Sequence, residues 1–393
     1  MINPHWQATK IGQLGRIVTG KTPPSTKPGL FGNNHPFITP TDLDNDSRNV
    51  LTERFVSDEG AAAFKNQMIP AGAVCFVCIG SIGKMCVASR LSLTNQQLNS
   101  IVVDDRVHDA RFVYYALRQI APIVKGLAGG AATPIVSKSS FSAIEVLMPP
   151  LTEQGRIASI LSAYDDLIEN NTRRIAILEE MARRIYEEWF VRFRFPGHEN
   201  VRLVESETPV PNGWQVRDVK DLVRRLPIGK VYKEANVRIQ GQTPVVDQST
   251  SEMLGFHDDE PAHQASAASP VVIFGDHTCK MQLMVTPFSL GPNTVPFIAN
   301  ELPVHYVYAL VRGLVTTREY KRHWSDLMKK SVLVAPREVA MMFTNAVGPM
   351  AELTEVLRRR NRNLGATRDL LLPKLISGEL DVSTLPEPET AVA

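Results

Sequence analysis

Apolar side chains recur at alternating spacings of four and three residues through one long stretch near the middle of the chain. Its apolar positions are Ile157, Leu161, Tyr164, Ile168, Ile175, Leu178, Ala182, Ile185 and Trp189. Asn171 is the polar residue on this heptad line. Such a line forms the seam of a helix that packs lengthwise on a second long helix. Because Phe195-Pro196-Gly197 stops the pattern, the sequence predicts a helix of roughly forty residues, about 60 Å long.

The partner helix is predicted in the same chain. A shift of 189 positions, which carries Leu161 onto Met350, places part of the first heptad line on a second apolar line near the C-terminus. The positions of this second line are Met350, Leu353, Leu357, Leu364 and Leu371. Gly348-Pro349 falls where the first helix runs smoothly, so we expect the second helix to begin or to kink near Pro349. The two helices are predicted to lie against each other as an antiparallel pair.

The segments beside the helices share one order of landmarks. Trp6-Gln7 returns as Trp214-Gln215, Gly20-Lys21 returns as Gly229-Lys230, and Tyr115-Ala116-Leu117 returns as Tyr308-Ala309-Leu310. Short strands, turns and a few helices fill both segments. The sequence therefore predicts an α+β protein with an internal duplication. Its predicted parts are a globular domain at 1–150, a long helix at 151–195, a second globular domain at 196–336, a C-terminal long helix at 337–380 and a flexible tail at 381–393.

Composition narrows the class of protein. A chain of 393 residues with 44% hydrophobic and 21% charged residues is typical of a globular protein with more than one domain. No apolar run is long enough to span a bilayer, and the polar segment Met1–Lys10 does not read as a signal peptide. Four cysteines in so long a chain indicate a reducing cytosol. The net charge of +2 argues against binding nucleic acid by bulk charge, but it leaves room for a local basic groove.

Three patterns imitate catalytic or metal sites. Gly15–Thr22 matches the GxxxxGKT phosphate loop, but Pro23 and Pro24 follow at once and oppose the helix that this motif needs, so a loop or turn is predicted. Cys75 and Cys78 form a CxxC inside a predicted strand, Ala73–Ile79, where residues three apart face opposite sides. The remaining pattern is a set of possible zinc ligands with no familiar spacing: His257, His263, His277 and Cys279. We therefore predict no catalytic residues and no metal site in this chain.

The two helical stretches contain specific sequence motifs. Residues 149–157 read Pro-Pro-Leu-Thr-Glu-Gln-Gly-Arg-Ile, and residues 175–183 read Ile-Ala-Ile-Leu-Glu-Glu-Met-Ala-Arg before Trp189-Phe190. Both are similar to the central helical region of type I restriction-modification specificity subunits. Residues 370–380, Leu-Leu-Leu-Pro-Lys-Leu-Ile-Ser-Gly-Glu-Leu, are similar to its C-terminal counterpart. The resemblance covers the whole chain in layout and is weaker in the globular halves.

The resemblance implies a cytoplasmic, non-catalytic subunit. Two target-recognition domains, separated by a pair of long antiparallel coiled-coil helices, would each read one half of a split double-stranded DNA site. Two methyltransferase subunits would dock on the helices, and the sequence leaves open whether restriction subunits join them. The whole complex would be a site-specific DNA adenine methyltransferase and ATP-dependent endonuclease. The resemblance implies no cofactor in this chain, since S-adenosylmethionine, ATP and Mg would be held by the partner subunits, and it implies no membrane partner.

Candidate DNA-binding residues lie in turns that carry lysine, amide or hydroxyl groups, which can hold phosphate or read base edges. In the first half they are Lys21, Thr22, Ser81, Lys84, Asn95, Gln96, Gln97, Lys138 and Ser139. In the second half they are Gly229, Lys230, His277, Lys280, Asn293 and Thr294. For each residue alone, a solvated loop position is the alternative interpretation. Leu167, Met181 and Tyr186 lie off the seam and could contact either partner subunits or the chain's own globular domains.

Two other functions remain open from the residues alone. The heptad lines also fit a structural coiled-coil scaffold whose globular ends bind proteins. An NTPase based on Gly15–Thr22 is the more distant alternative.

Overall fold

The structure, a computed structural model, describes residues 6–43, 47–128, 133–204, 209–249, 253–317, 319 and 321–383. The chain divides into two compact units. Unit 1 comprises Met1–Asn170 and Arg360–Ala393, and unit 2 comprises Asn171–Arg359. Both long helices therefore contribute residues to each unit. The domain borders predicted from the sequence place each long helix in a segment of its own, and these borders remain predictions.

Unit 1 combines short strands with helices. Its strands are β1 (Gln7–Lys10), β2 (Gly15–Thr19), β3 (Phe31–Gly32), β4 (His35–Ile38), β5 (Phe55–Val56), β6 (Met68–Ile69), β7 (Val74–Val77), β8 (Met85–Val87), β9 (Ser92–Thr94), β10 (Leu98–Val103) and β11 (Glu145–Met148). Its helices are α1 (Asp58–Ala63), α2 (Ala110–Gly126), α3 (Lys138–Ala143) and the first part of α4 (Leu151–Tyr186). The strand expected at Ala73–Ile79 is thus confirmed as β7.

The strands of unit 1 form an antiparallel sheet in the order β2-β10-β7-β8, a pair β1-β11, and a mixed sheet in the order β3-β5-β4-β9-β6. Strand β7 is buried along its whole length because both of its faces are covered. Val74, Phe76 and Cys78 face a core that includes α2, whereas Cys75 and Val77 face a second core beneath β4. This alternation is the two-residue period of a strand.

Unit 2 repeats this arrangement. Its strands are β12 (Leu203–Val204), β13 (Val210–Pro211), β14 (Gln215–Asp218), β15 (Val223–Arg225), β16 (Thr243–Val246), β17 (Gly255–His257), β18 (Val271–Gly275), β19 (Met281–Met284), β20 (Ser289–Leu290), β21 (Thr294–Ala299) and β22 (Ser331–Val334). Its helices are α5 (Val219–Leu222), α6 (Val304–Val311), α7 (Trp324–Met328) and parts of α4 and α8 (Arg337–Ile376).

The sheet order shows the internal duplication directly. The order β15-β21-β18-β19 in unit 2 corresponds to β2-β10-β7-β8 in unit 1, and the pair β14-β22 corresponds to β1-β11. The parallel pair β16-β20 corresponds to the parallel pair β4-β9. In each unit the last strand leads through a proline, Pro150 or Pro336, into a long helix. The predicted α+β fold with an internal duplication is confirmed.

The second long helix is continuous through Pro349. Helix α8 runs from Arg337 to Ile376, so it begins where the predicted segment 337–380 begins, and the alternative of a start near Pro349 is wrong. Helix α4 passes at its end into a π-helical segment, Glu187–Val191. The helices start at residues 151 and 337, which sets the true shift of the duplication at 186 positions rather than 189.

This three-residue error in the shift explains one wrong seam residue. Leu353 is 37% exposed, whereas its neighbour Thr354 is 6% exposed. A shift of three residues carries one seam row of a heptad onto the other row, which is why Met350, Leu357, Leu364 and Leu371 still fall on the line. The buried or half-buried line on α8 is Phe343, Val347, Met350, Thr354, Leu357, Asn361, Leu364, Arg368, Leu371 and Leu375. On α4 the predicted line Ile157, Leu161, Tyr164, Ile168, Asn171, Ile175, Leu178, Ala182, Ile185 and Trp189 is buried or half-buried throughout.

Within each unit the helices pair antiparallel, as predicted. In unit 1 the side-chain amide of Asn361 donates to the carbonyl of Ile168 at 3.3 Å, and Arg368 pairs with Asp165. In unit 2 the rings of Tyr186 and Phe343 lie 6.1 Å apart, and Arg358 pairs with Glu179 at 2.7 Å. Residue numbers on α8 fall as those on α4 rise.

Two further expectations concern surface and tail. Leu167 and Met181 are exposed, but Tyr186 packs among aromatic rings of unit 2, so it is not an outward-facing residue. Val382, inside the predicted flexible tail, is buried in the core of unit 1. Residues 384–393 of that tail lie outside the described residues.

Candidate nucleic-acid interface

The turn after β2 lies directly on the connection between β9 and β10. The Lys21 amide donates to the carbonyl of Thr94 at 2.8 Å, and the hydroxyl of Thr22 donates to the side-chain oxygen of Gln96 at 2.5 Å. A Cβ on Gly20 would stand 2.1 Å from the carbonyl oxygen of Asn95, so only glycine allows this approach. The two turns therefore present Lys21, Thr22 and Gln96 together on the surface.

The β7–β8 turn joins the same surface. The Asn95 side chain donates to the side-chain oxygen of Gln97 at 2.8 Å, and the Gln97 side chain donates to the carbonyl of Ile79 at 3.3 Å. Ser81 is exposed in this turn. Asn95 and Gln97 are thus committed to each other and to the backbone. Exposed Gln96 is the side chain of the three that is better placed to meet a base edge.

The lysines of unit 1 fall into different roles. Lys21 is exposed, with its ammonium 5.8 Å from the ring centre of Phe64. The ammonium of Lys84 donates to the carbonyls of Leu43 at 2.7 Å and Pro40 at 3.3 Å, so it ties down the loop after β4. Lys138 donates to the carbonyl of Ile17 at 2.8 Å. Of the predicted set, Lys21 is the ammonium least committed to the chain's own carbonyls.

Ser139 lies in the first turn of α3. Ser137 caps this helix, since its hydroxyl accepts a hydrogen bond from the amide of Ser140 at 3.0 Å. The hydroxyls of Ser137 and Ser139 lie 2.9 Å apart. Both serines are exposed beside Lys138.

The predicted residues of unit 2 form two groups. In the first, Lys230 follows Gly229 and pairs with Asp259 at 2.7 Å. The hydroxyl of Tyr232 also donates to Asp259 at 2.7 Å, and the Tyr232 ring stacks on His257 at 3.9 Å. The hydrogen bond from Lys230 lowers the pKa of Asp259, and the pKa of Lys230 is raised in turn. Lys230 is therefore a partly neutralised cation.

The second group surrounds the chain after β16. The His277 amide donates to the Gln248 side chain at 2.9 Å, and the Lys280 ammonium donates to the carbonyl of Ser249 at 2.8 Å. Thr294 is buried and donates to the carbonyl of Gly291 at 2.7 Å, whereas Asn293 is exposed with a φ of 58°. Asn293 is the exposed side chain of this group, and His277 and Lys280 are half-buried.

The structure adds a buried ion pair that the sequence did not suggest. Arg368 of α8 donates to one carboxylate oxygen of Asp165 on α4, and the hydroxyl of Tyr115 on α2 donates to the other at 2.5 Å. Asp165 is 5% and Arg368 is 2% exposed. Burial raises the pKa of Tyr115, and the charge of Asp165 adds to this effect. Burial alone would lower the pKa of Arg368, but Asp369 and Asp165 stabilise its charge and raise it. This network fastens the globular part of unit 1 to both helices.

The motifs that imitate catalytic sites do not form such sites. The loop or turn predicted for Gly15–Thr22 is wrong for Gly15–Thr19, which form strand β2 and pair with β10 along their length, and the next helical turn begins only at Pro28. Cys75 and Cys78 face different cores, as predicted, and burial raises the pKa of Cys78 to about 11. Across the described ranges, no group of three or more His, Cys, Asp and Glu side chains could hold a metal ion.

Comparison with known proteins identifies the domain. Residues 3–180 match the family described as Type I restriction modification DNA specificity domain. The MjaIX specificity subunit of Methanocaldococcus jannaschii is 27% identical over 410 aligned residues, which cover 97% of this chain and 94% of that subunit. Residues 3–180 thus contain this DNA specificity domain, and the chain is similar to type I restriction-modification specificity subunits over nearly its whole length.

Two further comparisons give similar proteins. The HindI specificity subunit of Haemophilus influenzae is 36% identical over 147 residues, which cover 37% of this chain and 32% of that subunit. The solved S subunit of M. genitalium shares the fold, with a TM-score of 0.58 at 15% identity over 96% of each chain. Specificity subunits are non-catalytic. Within the described residues, no helix of this chain has the length and apolar character needed to cross a membrane.

Proposed function

We propose that this chain is a specificity subunit that reads a bipartite double-stranded DNA site, one half with each unit. The observation that carries the proposal is the repeated sheet order, β2-β10-β7-β8 and β15-β21-β18-β19, in a chain that contains this DNA specificity domain. One binding fold present twice, with different side chains on its turns, is suited to two unlike half-sites. The coiled-coil scaffold alternative does not account for the family match.

The contacts within the turns support DNA as the ligand. Lys21, Thr22 and Gln96 lie together on the surface of unit 1, where an ammonium can hold phosphate and an amide can meet a base edge. In unit 2, His277 stands on the turn equivalent to the one after β7, and Asn293 stands on the turn equivalent to the one before β10. The net charge of +2 is small, so local groups rather than bulk charge would position the duplex.

The chemistry of the complex is assigned to other chains. We propose that two adenine methyltransferase subunits dock on α4 and α8, where Leu167 and Met181 are exposed. S-adenosylmethionine would be held by those subunits, and ATP and Mg by restriction subunits where these are present. The proposed location is the cytoplasm, where the DNA is.

The test is methylation in a cell without its own adenine methylation. The subunit is co-expressed with its methyltransferase partner, and methylated adenines are mapped by long-read sequencing. We expect one motif made of two short specific parts and an unread gap, and we expect no methylation without this chain. A single continuous motif, or methylation by the partner alone, would contradict the proposal.

A further inference from the structure

Unit 2 carries an exposed tip just before β16. Residues 239–242 read Ile-Gln-Gly-Gln, and Ile239 is 93% exposed. Gln240 is also exposed, and no other described residue hydrogen-bonds its side-chain amide. We call residues 239–242 the second tip.

The second tip is fixed on both sides. Arg238 exchanges two backbone hydrogen bonds with Phe256 of β17, at 2.8 and 2.9 Å. Asp258 accepts from the Arg238 guanidinium at 2.7 Å and from the Gln242 amide at 3.2 Å. A Cβ on Gly241 would lie 2.8 Å from the Cβ of Phe256, so the tip sits tightly against β17. An apolar side chain is thus held out in solvent by a fixed backbone.

Unit 1 has a similarly anchored tip at the equivalent position. There β3 pairs with β5, residues Asn33 and Asn34 follow, and β4 returns to the other side of β5. We call residues 33–34 the first tip. Asp58, just after β5, accepts from the Asn34 side chain at 3.0 Å and lies 3.0 Å from the ring of His35. Asp58 and Asp258 therefore anchor equivalent tips in the two units.

The two tips share an anchoring aspartate but expose different side chains. The first tip offers the amide of exposed Asn33, and the second offers the amide of Gln240 beside the apolar Ile239. Asn and Gln amides can bond both the N6 and N7 positions of adenine, and an apolar side chain can contact the thymine methyl group. Two units that read different base sequences require such an arrangement, in which the anchoring residue is the same and the contacting side chains differ.

We propose that the two tips are base-reading elements, Asn33 for one half-site and Gln240 with Ile239 for the other. This inference rests on the proposed function, since it assumes that each unit meets one half-site. Neither tip was among the DNA-binding residues predicted from the sequence. The signal that could have shown them is the short polar segment before each of two equivalent strands.

The test uses the assembled methyltransferase complex and maps methylated sites for four variants. Gln240→Ala and Ile239→Ala change the second tip, and Asn33→Ala changes the first. Gln215→Ala is the control, because Gln215 is an exposed glutamine on β14 of unit 2, away from the tip. We expect each tip variant to lose discrimination at one or two neighbouring positions of one half-site, by about 5- to 150-fold, the range of one amide–base contact. The other half-site should be unchanged, and the control should match the wild type.

Three results would overturn the inference. They are unchanged discrimination in all tip variants, equal losses at both half-sites, and a variant with the wild-type melting temperature that methylates nothing. Ile239 is nearly fully exposed, so its truncation removes little packing and keeps the test valid if another variant folds poorly. Failure of the proposed function would be seen separately, since the wild-type complex would then lack a two-part motif.

Discussion

The buried pair of Asp165 and Arg368 should dominate the stability of unit 1. Changing Arg368→Met removes the cation and leaves the Asp165 carboxylate buried with one hydrogen bond, from Tyr115. Removing one partner of such a pair costs about 3–5 kcal/mol. Because the Tyr115 bond remains, we expect the lower end, about 3 kcal/mol. Unit 1 has about 200 residues, for which that loss lowers Tm by roughly 6–12 °C.

The assay is thermal unfolding followed by circular dichroism, with a matched control in the same unit. Arg106 makes two short hydrogen bonds to Asp104, at 2.8 and 2.7 Å, but its side chain is largely exposed. Exposed pairs contribute little to stability because solvent screens them, so Arg106→Met should hardly change Tm. If Arg368→Met costs no more than Arg106→Met, the network does not hold unit 1 together.

A triple variant separates the ion pair from its surroundings. Replacing all three groups, as Asp165→Leu, Arg368→Met and Tyr115→Phe, leaves no buried charge or hydroxyl without a partner. Buried pairs replaced by apolar residues are often neutral or stabilising. We expect the triple variant to recover more than half of the loss of Arg368→Met. A triple variant less stable than the single one would show that packing, not the unpaired charge, sets the cost.

The remaining predictions concern single residues. Calorimetry should detect no ATP binding to the wild-type chain or to Lys21→Ala, since Gly15–Thr19 is a strand; micromolar binding lost on substitution would contradict this. Lys21→Ala in the complex should lower the slope of log K against log salt by about one unit in a DNA-binding titration. Lys84→Met should leave that slope unchanged but lower Tm, because the Lys84 ammonium holds the carbonyls of Pro40 and Leu43. A lower slope for Lys84→Met with an unchanged slope for Lys21→Ala would show instead that Lys84 holds the phosphate. Burial raises the pKa of Tyr186 to about 12, so the stability of unit 2 should hold below about pH 10, the unfolded pKa, and fall as pH rises toward 12. Tyr186→Phe should reduce that fall in urea unfolding at pH 9 and 11, and an identical fall would refute the assignment.

The seam and the duplication could be predicted because both are periodic. Heptad spacing identified α4, and the repeated order of Trp6 and Trp214, or Tyr115 and Tyr308, marked equivalent strands and helices. Shifting the copy by three residues still satisfied most of the heptad pattern, so sequence alone could not fix the register. Pro349 also resembles a helix start, but strand β22 and Pro336 lead directly into α8 at Arg337.

The candidate site was harder to predict because it depends on contacts distant in sequence. Nothing local to Lys84 shows that its ammonium is taken up by the carbonyls of Pro40 and Leu43. Arg368 reads as a solvated charge on a helix, and only folding brings it to Asp165. The convergence of residues 20–22 with 94–97 was also not evident, since the two turns meet only through β2 and β10.

The central claim is that each unit reads one half of a two-part DNA site. The most direct measurement is long-read mapping of methylated adenines after residues 198–336 are exchanged for the matching segment of a related subunit with a different target. These residues contain β12 to β22, whereas the strands of unit 1 stay as they are. The account predicts a motif in which one half is replaced and the other half is retained. Alteration of both halves, or of neither in an active complex, would contradict it.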